Sequence, residues 1–408
     1  MIYTLSAGIK QGLPLSPYIF LFYVDDIFEF FDRLYTDPNS NMICNLIHIL
    51  LHADDATILA PDRNLASNKL DGLLQYCRTN CIIPQYTKCE FVVINGTKRD
   101  KAPIKFGKRS LCSVSDLTLL GSHISGSGNL KDDIELDYNS RFKSCIKYLN
   151  FIRSNRHAPI SVKLKVLKSC VVSSLLYNCE TFGPEIPKDL EAQYHKLIRA
   201  TLQVRSNTPA QLVLIESGFL PIKALILSRQ FKFLQRFEDS IQPNSPRRKV
   251  FDLLKSEEEP SPYLLHYINL REKYSSTDEI YHEFIAETKR FIFSMANNGH
   301  YRYETYVKFN PSLVQSPFVN TPHFLSADII KFRLGVHKLP VNTGLWQGIA
   351  DRRLRVCRDC NVMGDEMHYL YRCNRIDRDF ILPQDVEELW KNANIFTLFS
   401  RLKGLEIL

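Results

Sequence analysis

Residues 47–60 read IHILLHADDATILA, two short apolar runs that meet at adjacent carboxylates, Asp54 and Asp55. Ile- and Leu-rich runs of this length, broken by a small residue and an acidic pair, predict two strands that fold back at the acids. Neighbouring carboxylates repel one another and a sheet surface offers them no compensation. A cation is therefore expected at the tip, most simply a divalent metal. Asp is also favoured in tight turns for its own backbone hydrogen bonds, so an ordinary turn is the competing reading of the same residues.

The stretch upstream bears on that choice. Residues 8–17 read GIKQGLPLSP, and an apolar segment follows from Tyr18 to Phe31. Together with the acidic hairpin, this resembles the reverse transcriptases of non-LTR (LINE-type) retrotransposons, whose palm carries G-x-x-Q-G-x-P-L-S-P-x-x-F and then an Ala-Asp-Asp hairpin. The first motif is matched at Gly8, Gln11, Gly12, Pro14, Leu15, Ser16, Pro17 and Phe20. The second is matched at Ala53, Asp54 and Asp55, with His52 where the family usually has Tyr or Phe. The resemblance implies an RNA-directed DNA polymerase whose partners are an RNA template, a DNA primer and deoxynucleotides. It further implies that Asp54 and Asp55 hold Mg2+ (or Mn2+), and that Lys10, Gln11 and Gly12 lie against template and incoming nucleotide.

Ser16 as N-cap and Pro17 at the first helical position predict a helix running to about Leu34. Inside it, Tyr23-Val24-Asp25-Asp26 spells a Tyr-x-Asp-Asp motif more literally than residues 52–55 do. A helix splays adjacent side chains by about 100° and cannot aim both carboxylates at one metal. The metal pair is accordingly assigned to Asp54 and Asp55, and Asp25 and Asp26 to the solvated side of the helix.

Leu70, Leu73, Leu74 and Cys77 recur at helical spacing and predict a helix over 65–78. The segment CIIPQYTKCEFVVIN resembles the family's G-L-x-x-N-x-x-K-T stretch, with Gln85 for the Asn and Cys81 for the Gly. By that resemblance Lys88 meets nucleotide phosphates and protonates the leaving pyrophosphate; an exposed strand-edge lysine is the competing reading. Residues 117–124, LTLLGSHI, resemble the family's F-x-Y-L-G-x-x-I primer-side hairpin at Leu120 and Gly121, with Leu119 in place of Tyr.

Beyond it, Ile134, Tyr138, Phe142, Cys145 and Leu149 are spaced by three and four, one face of a helix, while Lys143 and Lys147 share another face. A second helix is expected from Ser161 to about Leu176, carrying Lys163, Lys165 and Lys168. It ends in LLYNCETFG, close to the family's L-L-Y-G-x-E-x-W, with Asn178 and Phe182 replacing the Gly and Trp. The resemblance makes this region a thumb that grips the template-primer duplex through phosphate contacts from Lys143, Lys147, Lys163 and Lys168. A merely solvated helix face is the competing reading.

Near the C-terminus, Cys357 and Cys360 form a Cys-x-x-Cys pair, followed after seven residues by His368 and after four more by Cys373. Two thiolates on one tight turn, completed by a later His and Cys, make a tetrahedron for structural Zn2+, against the alternative of reduced, buried cysteines. The set resembles the Cys-Cys-His-Cys module of LINE-type proteins. The likeness extends to Phe332-Arg333-Leu334-Gly335-Val336-His337 upstream and Arg378-Asp379-Phe380 downstream.

Composition sets the outer limits. The 408 residues have the apolar share of a globular protein, and Lys and Arg exceed the acids by eight, spread along the chain, which is compatible with a polyanion partner. Eleven scattered cysteines and the lack of a signal pattern favour a reducing compartment. Apolar runs are broken before the roughly eighteen residues that a membrane span needs. By resemblance the location is intracellular, in nucleus or cytoplasm.

The expected class is α+β: a partial polymerase palm with an antiparallel sheet and packed helices (1–128), a helical thumb (129–238), a linker (239–262) and a helical C-terminal region with the Cys-Cys-His-Cys module (263–408). In the family a third catalytic acid comes from an F-x5-A-F-D strand upstream of the Gln-Gly loop, and no such strand precedes Gly8. The expectation is therefore a polymerase truncated at the N-terminus, lacking its first catalytic Asp strand and fingers, and inactive in isolation. The alternative is an inactive, retrotransposon-derived remnant that binds nucleic acid. The oligomeric state is not legible.

Overall fold

A computed structural model of the chain describes residues 13–36, 43–239, 246–256 and 261–408. Gly8, Lys10, Gln11 and Gly12 lie outside the described residues. The protein is mostly helical with small sheets, 56% helix and 8% strand. It divides into two compact units, Met1–Asp137 with Phe233–Tyr267, and Tyr138–Lys232 with Ile268–Leu408.

The first unit opens with α1 (Ser16–Tyr23) and α2 (Ile27–Tyr35). The single helix expected over 17–34 is thus broken at residues 24–26, where Ile27 N donates to Val24 O in a turn. The break turns Ile27 and Phe31 into the core and leaves α1, the more apolar helix, with no buried residue. Asp25 is exposed, as expected. Asp26 is exposed as well, and its carboxylate also accepts a hydrogen bond from Tyr76 Oη.

After α3 (Ile43–Leu46), strands β1 (Ile49–His52) and β2 (Asp55–Ile58) pair antiparallel, Ile49 opposite Ile58 and His52 opposite Asp55. Side chains alternate across a strand. Ile49, Leu51 and Ile58 accordingly pack on Ile27, Phe31 and Tyr76, while Leu50 and His52 face water. Full burial of Ile49 alone contributes roughly 1.5–3 kcal/mol. The helix below, α4 (Arg63–Thr79), starts where Asp62 accepts hydrogen bonds from Asn64 N and Leu65 N at 2.8 and 2.9 Å.

The remaining strands are β3 (Phe91–Val92), β4 (Ile104–Phe106), β5 (Arg109–Leu111), β6 (Ser113–Val114), β7 (Asp116–Leu119) and β8 (Ser122–Ser125). The expected antiparallel palm sheet takes a different form. Among the described residues the strands pair only two by two, and the β3–β6 ladder is parallel. Strands of two to four residues expose little ladder to a further neighbour, and the other face of α4 is taken by Phe106, Leu111, Tyr86 and Phe91. α5 (Leu130–Arg141) then carries Asp137, which accepts from both the N–H and the ring Nδ1 of His123, holding β8.

In the second unit, α6 (Lys143–Ser154) precedes α7 (Ile160–Val166), which continues through a π-helical turn at Leu167–Val172 into α8 (Ser173–Leu175). Of the expected apolar stripe, Ile134, Tyr138 and Cys145 are buried and Phe142 and Leu149 half-buried. Then come α9 (Leu190–Leu202), α10 (Ala210–Ser217) and α11 (Ile222–Asp239). The segment expected to be a linker carries α12 (Pro246–Ser256), which belongs to the first unit, and α13 (Pro262–Lys273) crosses the boundary after Tyr267. The second unit then continues with α14 (Thr277–Asn297), α15 (Tyr301–Phe309), α16 (Ser326–Arg333), α17 (Pro340–Trp346), α18 (Glu366–Tyr371), α19 (Val386–Leu389) and α20 (Asn394–Gly404).

At the centre of this unit, buried Glu216 takes Arg333 Nε at 2.8 Å and Tyr306 Oη at 2.8 Å. The guanidinium also reaches Phe309 O and lies 4.8 Å from the Trp390 ring centre. No single described helix is long and apolar enough to cross a membrane. The bent pair Ala210–Ser217 with Ile222–Arg236 reaches that length and composition only jointly, and its apolar residues Leu212, Val213, Ile222 and Ile226 are buried in the core.

Candidate catalytic hairpin and metal centre

Because β1 and β2 close at the pair His52–Asp55, the connection is the two residues Ala53 and Asp54. Ala53 takes φ +53°, a left-handed conformation that costs an alanine about 1 kcal/mol. That backbone holds Asp54 in the turn itself and Asp55 at the first position of β2, both exposed. Among the described residues neither carboxylate has a hydrogen-bond or ion-pair partner. Two acids held side by side in water with no cation of their own suit a hard divalent ion bound through oxygen.

The hairpin is steadied from below by a residue that sequence reasoning missed. Lys69 of α4 is fully buried, and its ammonium donates to Leu59 O at 2.6 Å and Cys44 O at 2.9 Å. Burial lowers its pKa. Lys69 thus ties the exit of β2 to α3. Its position four residues before Leu73, a core residue of α4, is the only sequence signal that could have revealed it.

Lys88 is exposed at the end of a short 3-10 turn, Tyr86–Lys88, whose Tyr86 packs on α4 beside Leu74. Leu73 joins both core clusters, so α4 backs the acidic hairpin as well as the Lys88 turn. Leu120 and Gly121 form the two-residue turn of the β7–β8 hairpin, with φ +50° and +82°. The glycine adopts that conformation without a Cβ penalty.

Lys143, Lys147 and Lys168 are exposed. Lys163 is not: it is 2% exposed, its ammonium donates to Arg156 O at 2.9 Å, and burial lowers its pKa. The expectation of a phosphate contact from Lys163 is therefore corrected. Its helix presents that face to Tyr148, whose hydroxyl donates to Lys163 O.

The four C-terminal donors converge. One ligand atom from each of Cys357, Cys360, His368 and Cys373 lies within 4.8 Å of all the others. The Cys357 and Cys373 sulfurs stand 3.8 Å apart. Sulfur ligands about 2.3 Å from a tetrahedral zinc are spaced by about 3.8 Å, so the donor set fits the ion.

Two further observations agree with it. Buried His368 Nε2 has no hydrogen-bond partner among the described residues. Burial would push the Cys357 thiol up, yet hydrogen bonds from Tyr369 Oη, the backbone N–H groups of Asp359 and Cys360, and His368 bring it down to about 6. Burial and the neighbouring Cys357 sulfur instead push Cys373 up to about 12. A cation among the sulfurs would favour the thiolate form of both.

The shell around the cluster explains the motifs flanking it. Asp365 caps α18 by accepting from His368 N at 2.8 Å. Arg378 donates to Cys373 O at 2.7 Å and Tyr369 O at 2.9 Å, clamping the residue after His368 and the cysteine that closes the cluster. Upstream, His337 Nε2 meets Glu366 at 3.0 Å in the interior, and Phe332 packs on the His337 ring. The sequence FRLGVH therefore docks the module on α16.

Residues 2–151 match the reverse transcriptase (RNA-dependent DNA polymerase) family. Neither a curated protein nor a solved structure matches the chain. The acidic hairpin, the Lys88 turn and the Leu120–Gly121 hairpin all fall inside the matched residues, and the Cys3His cluster falls outside them. The chain therefore carries a reverse transcriptase family domain over residues 2–151, with nucleic acid as the substrate that this family implies.

Proposed function

We propose that the protein is the RNA-directed DNA polymerase of a non-LTR (LINE-type) retrotransposon, with Asp54 and Asp55 as metal-holding carboxylates. The observation that carries this reading is the pair of adjacent, exposed acids at a strained two-residue turn, with no partner among the described residues. Magnesium, when bound, would activate the primer hydroxyl and neutralise the leaving pyrophosphate. Asp54 and Asp55 would hold the ion from the turn, and the rigid α4 platform with Lys69 would keep them in place.

Lys88 would face phosphate and supply a proton to the leaving group. Lys10, Gln11 and Gly12 would shape the template and nucleotide site, while Leu120 and Gly121 would border the primer. Lys143, Lys147 and Lys168 would meet the duplex backbone, Lys163 being committed to the interior. The Cys3His cluster would hold one structural zinc ion. The palm, thumb, linker and C-terminal divisions at 1–128, 129–238, 239–262 and 263–408 belong to the same proposal.

A second reading, a retrotransposon-derived chain that binds nucleic acid without polymerising, draws on the separate two-stranded ladders. They give the acidic pair no adjoining strand among the described residues. Primer extension on an RNA template, with Asp54→Ala as control, separates the two. Incorporation that the substitution abolishes supports the polymerase. Salt-sensitive binding without extension supports the second reading, and absence of both overturns each.

A further inference from the structure

Phe324, just ahead of α16, is 74% exposed. Single exposed apolar side chains are ordinary; the way this one is held is not. Its ring stacks on His323, with centroids 4.6 Å apart and planes 29° from parallel, and His323 rests on Phe396 at 3.9 Å. The file continues inward through Phe318, Trp390 and Phe309. The His323 ring is fixed by Leu325 N, which donates to its Nδ1 at 3.1 Å. The outermost ring is therefore pre-oriented, with a backing that stops it folding inward.

Charge at the ring is positive. Lys403 Nζ lies over the Phe324 ring, 5.9 Å from its centre. Lys403 and Lys331 both pair with Asp328, at 2.8 and 3.2 Å, so two ammonium groups share one carboxylate. A flat, rigid π-face beside surplus positive charge matches a base with its phosphate. A protein partner would call for a broader apolar patch.

We infer that Phe324 is a stacking platform for an unpaired base of single-stranded nucleic acid, with Lys403 and Lys331 beside the adjoining phosphate. This rests on the reading that the chain handles nucleic acid, and assigns it a single-strand contact in the C-terminal unit.

Fluorescence anisotropy on the full chain tests it, with a labelled single-stranded oligoadenylate and a blunt RNA–DNA hybrid of equal length. Phe324→Ala should weaken single-strand binding about tenfold and leave hybrid binding within about twofold, with an unchanged unfolding temperature. Phe324→Trp should retain affinity, and its emission should be quenched by the oligoadenylate. Single-strand affinity unmoved by Phe324→Ala, or a loss shared equally by the hybrid, overturns the platform alone. A change confined to self-association in sedimentation overturns it in favour of a contact between copies. Failure of the parent chain to bind either probe removes the nucleic-acid reading as well.

Discussion

The turn at residues 53–54 and the cluster around Cys357 are the two places proposed to receive a cation, and they differ in every physical respect. On the hairpin the donors are exposed oxygens with no partner among the described residues, carried by a ladder of four residues a side. In the Cys3His cluster three of the four donors are buried, and the shell of Tyr369, Asp365, Arg378 and Glu366 is itself bonded. An open oxygen site, if it serves catalysis as proposed, has to exchange ligands, and its stability then comes from the helix that packs on the hairpin. A closed sulfur site exchanges nothing, and its ion becomes part of the core.

The contrast predicts where damage lands. Cys360→Ser or chelation should have the largest effect, because a structural zinc contributes on the order of 10 kcal/mol to folding. Metal analysis should fall from one zinc per chain toward none, and the cooperative unfolding transition of the C-terminal region should be lost. Retention of both would break the contrast.

Glu216→Ala comes next. It strands the Arg333 guanidinium in the interior and should cost about 3–5 kcal/mol in urea unfolding. A loss below about 1 kcal/mol would mean that water reaches the pair.

A smaller effect should follow pH. His48 lies buried beside Lys69, Asp32, the Thr36 hydroxyl and the Cys44 carbonyl; burial, then the Lys69 charge, lowers its pKa, with Asp32 opposing. The unfolded chain therefore takes up the proton first as pH falls. Stability is complete above about pH 6.5 and declines from there toward the lower folded value. The urea midpoint should fall across that window, and His48→Gln should flatten the slope.

The smallest effect belongs to the hairpin. Asp54→Ala should leave stability within about 0.5 kcal/mol by thermal unfolding, since nothing in the described fold depends on that carboxylate. A large destabilisation would make Asp54 a structural turn residue, the competing reading of the acidic pair.

Much of this was legible in sequence where the signal is local. Alternating apolar residues around Asp54 and Asp55 specify a hairpin, because strand periodicity is two and Asp suits a turn. The helix expected over 65–78 is found at Arg63–Thr79, since its apolar spacing and the Asp62 cap act within a few residues. The spacing of the Cys-x-x-Cys pair and the later His and Cys leaves zinc and buried thiols both open, with the flanking motifs favouring zinc, and the fold brings the four donors together.

Tertiary structure decided what spacing could not. Lys163 reads in sequence as a phosphate contact or a solvated lysine and Lys69 draws no reading, yet both are interior, because the side of a helix that holds a long polar side chain is set by the neighbours that meet it. The break before Ile27 and the Tyr76–Asp26 hydrogen bond depend on contacts about fifty residues apart, and the Glu216–Arg333 pair on residues farther apart still. Short-range sterics and hydrophobic periodicity are written into adjacent residues, whereas burial of charge is settled only when distant segments exclude water together.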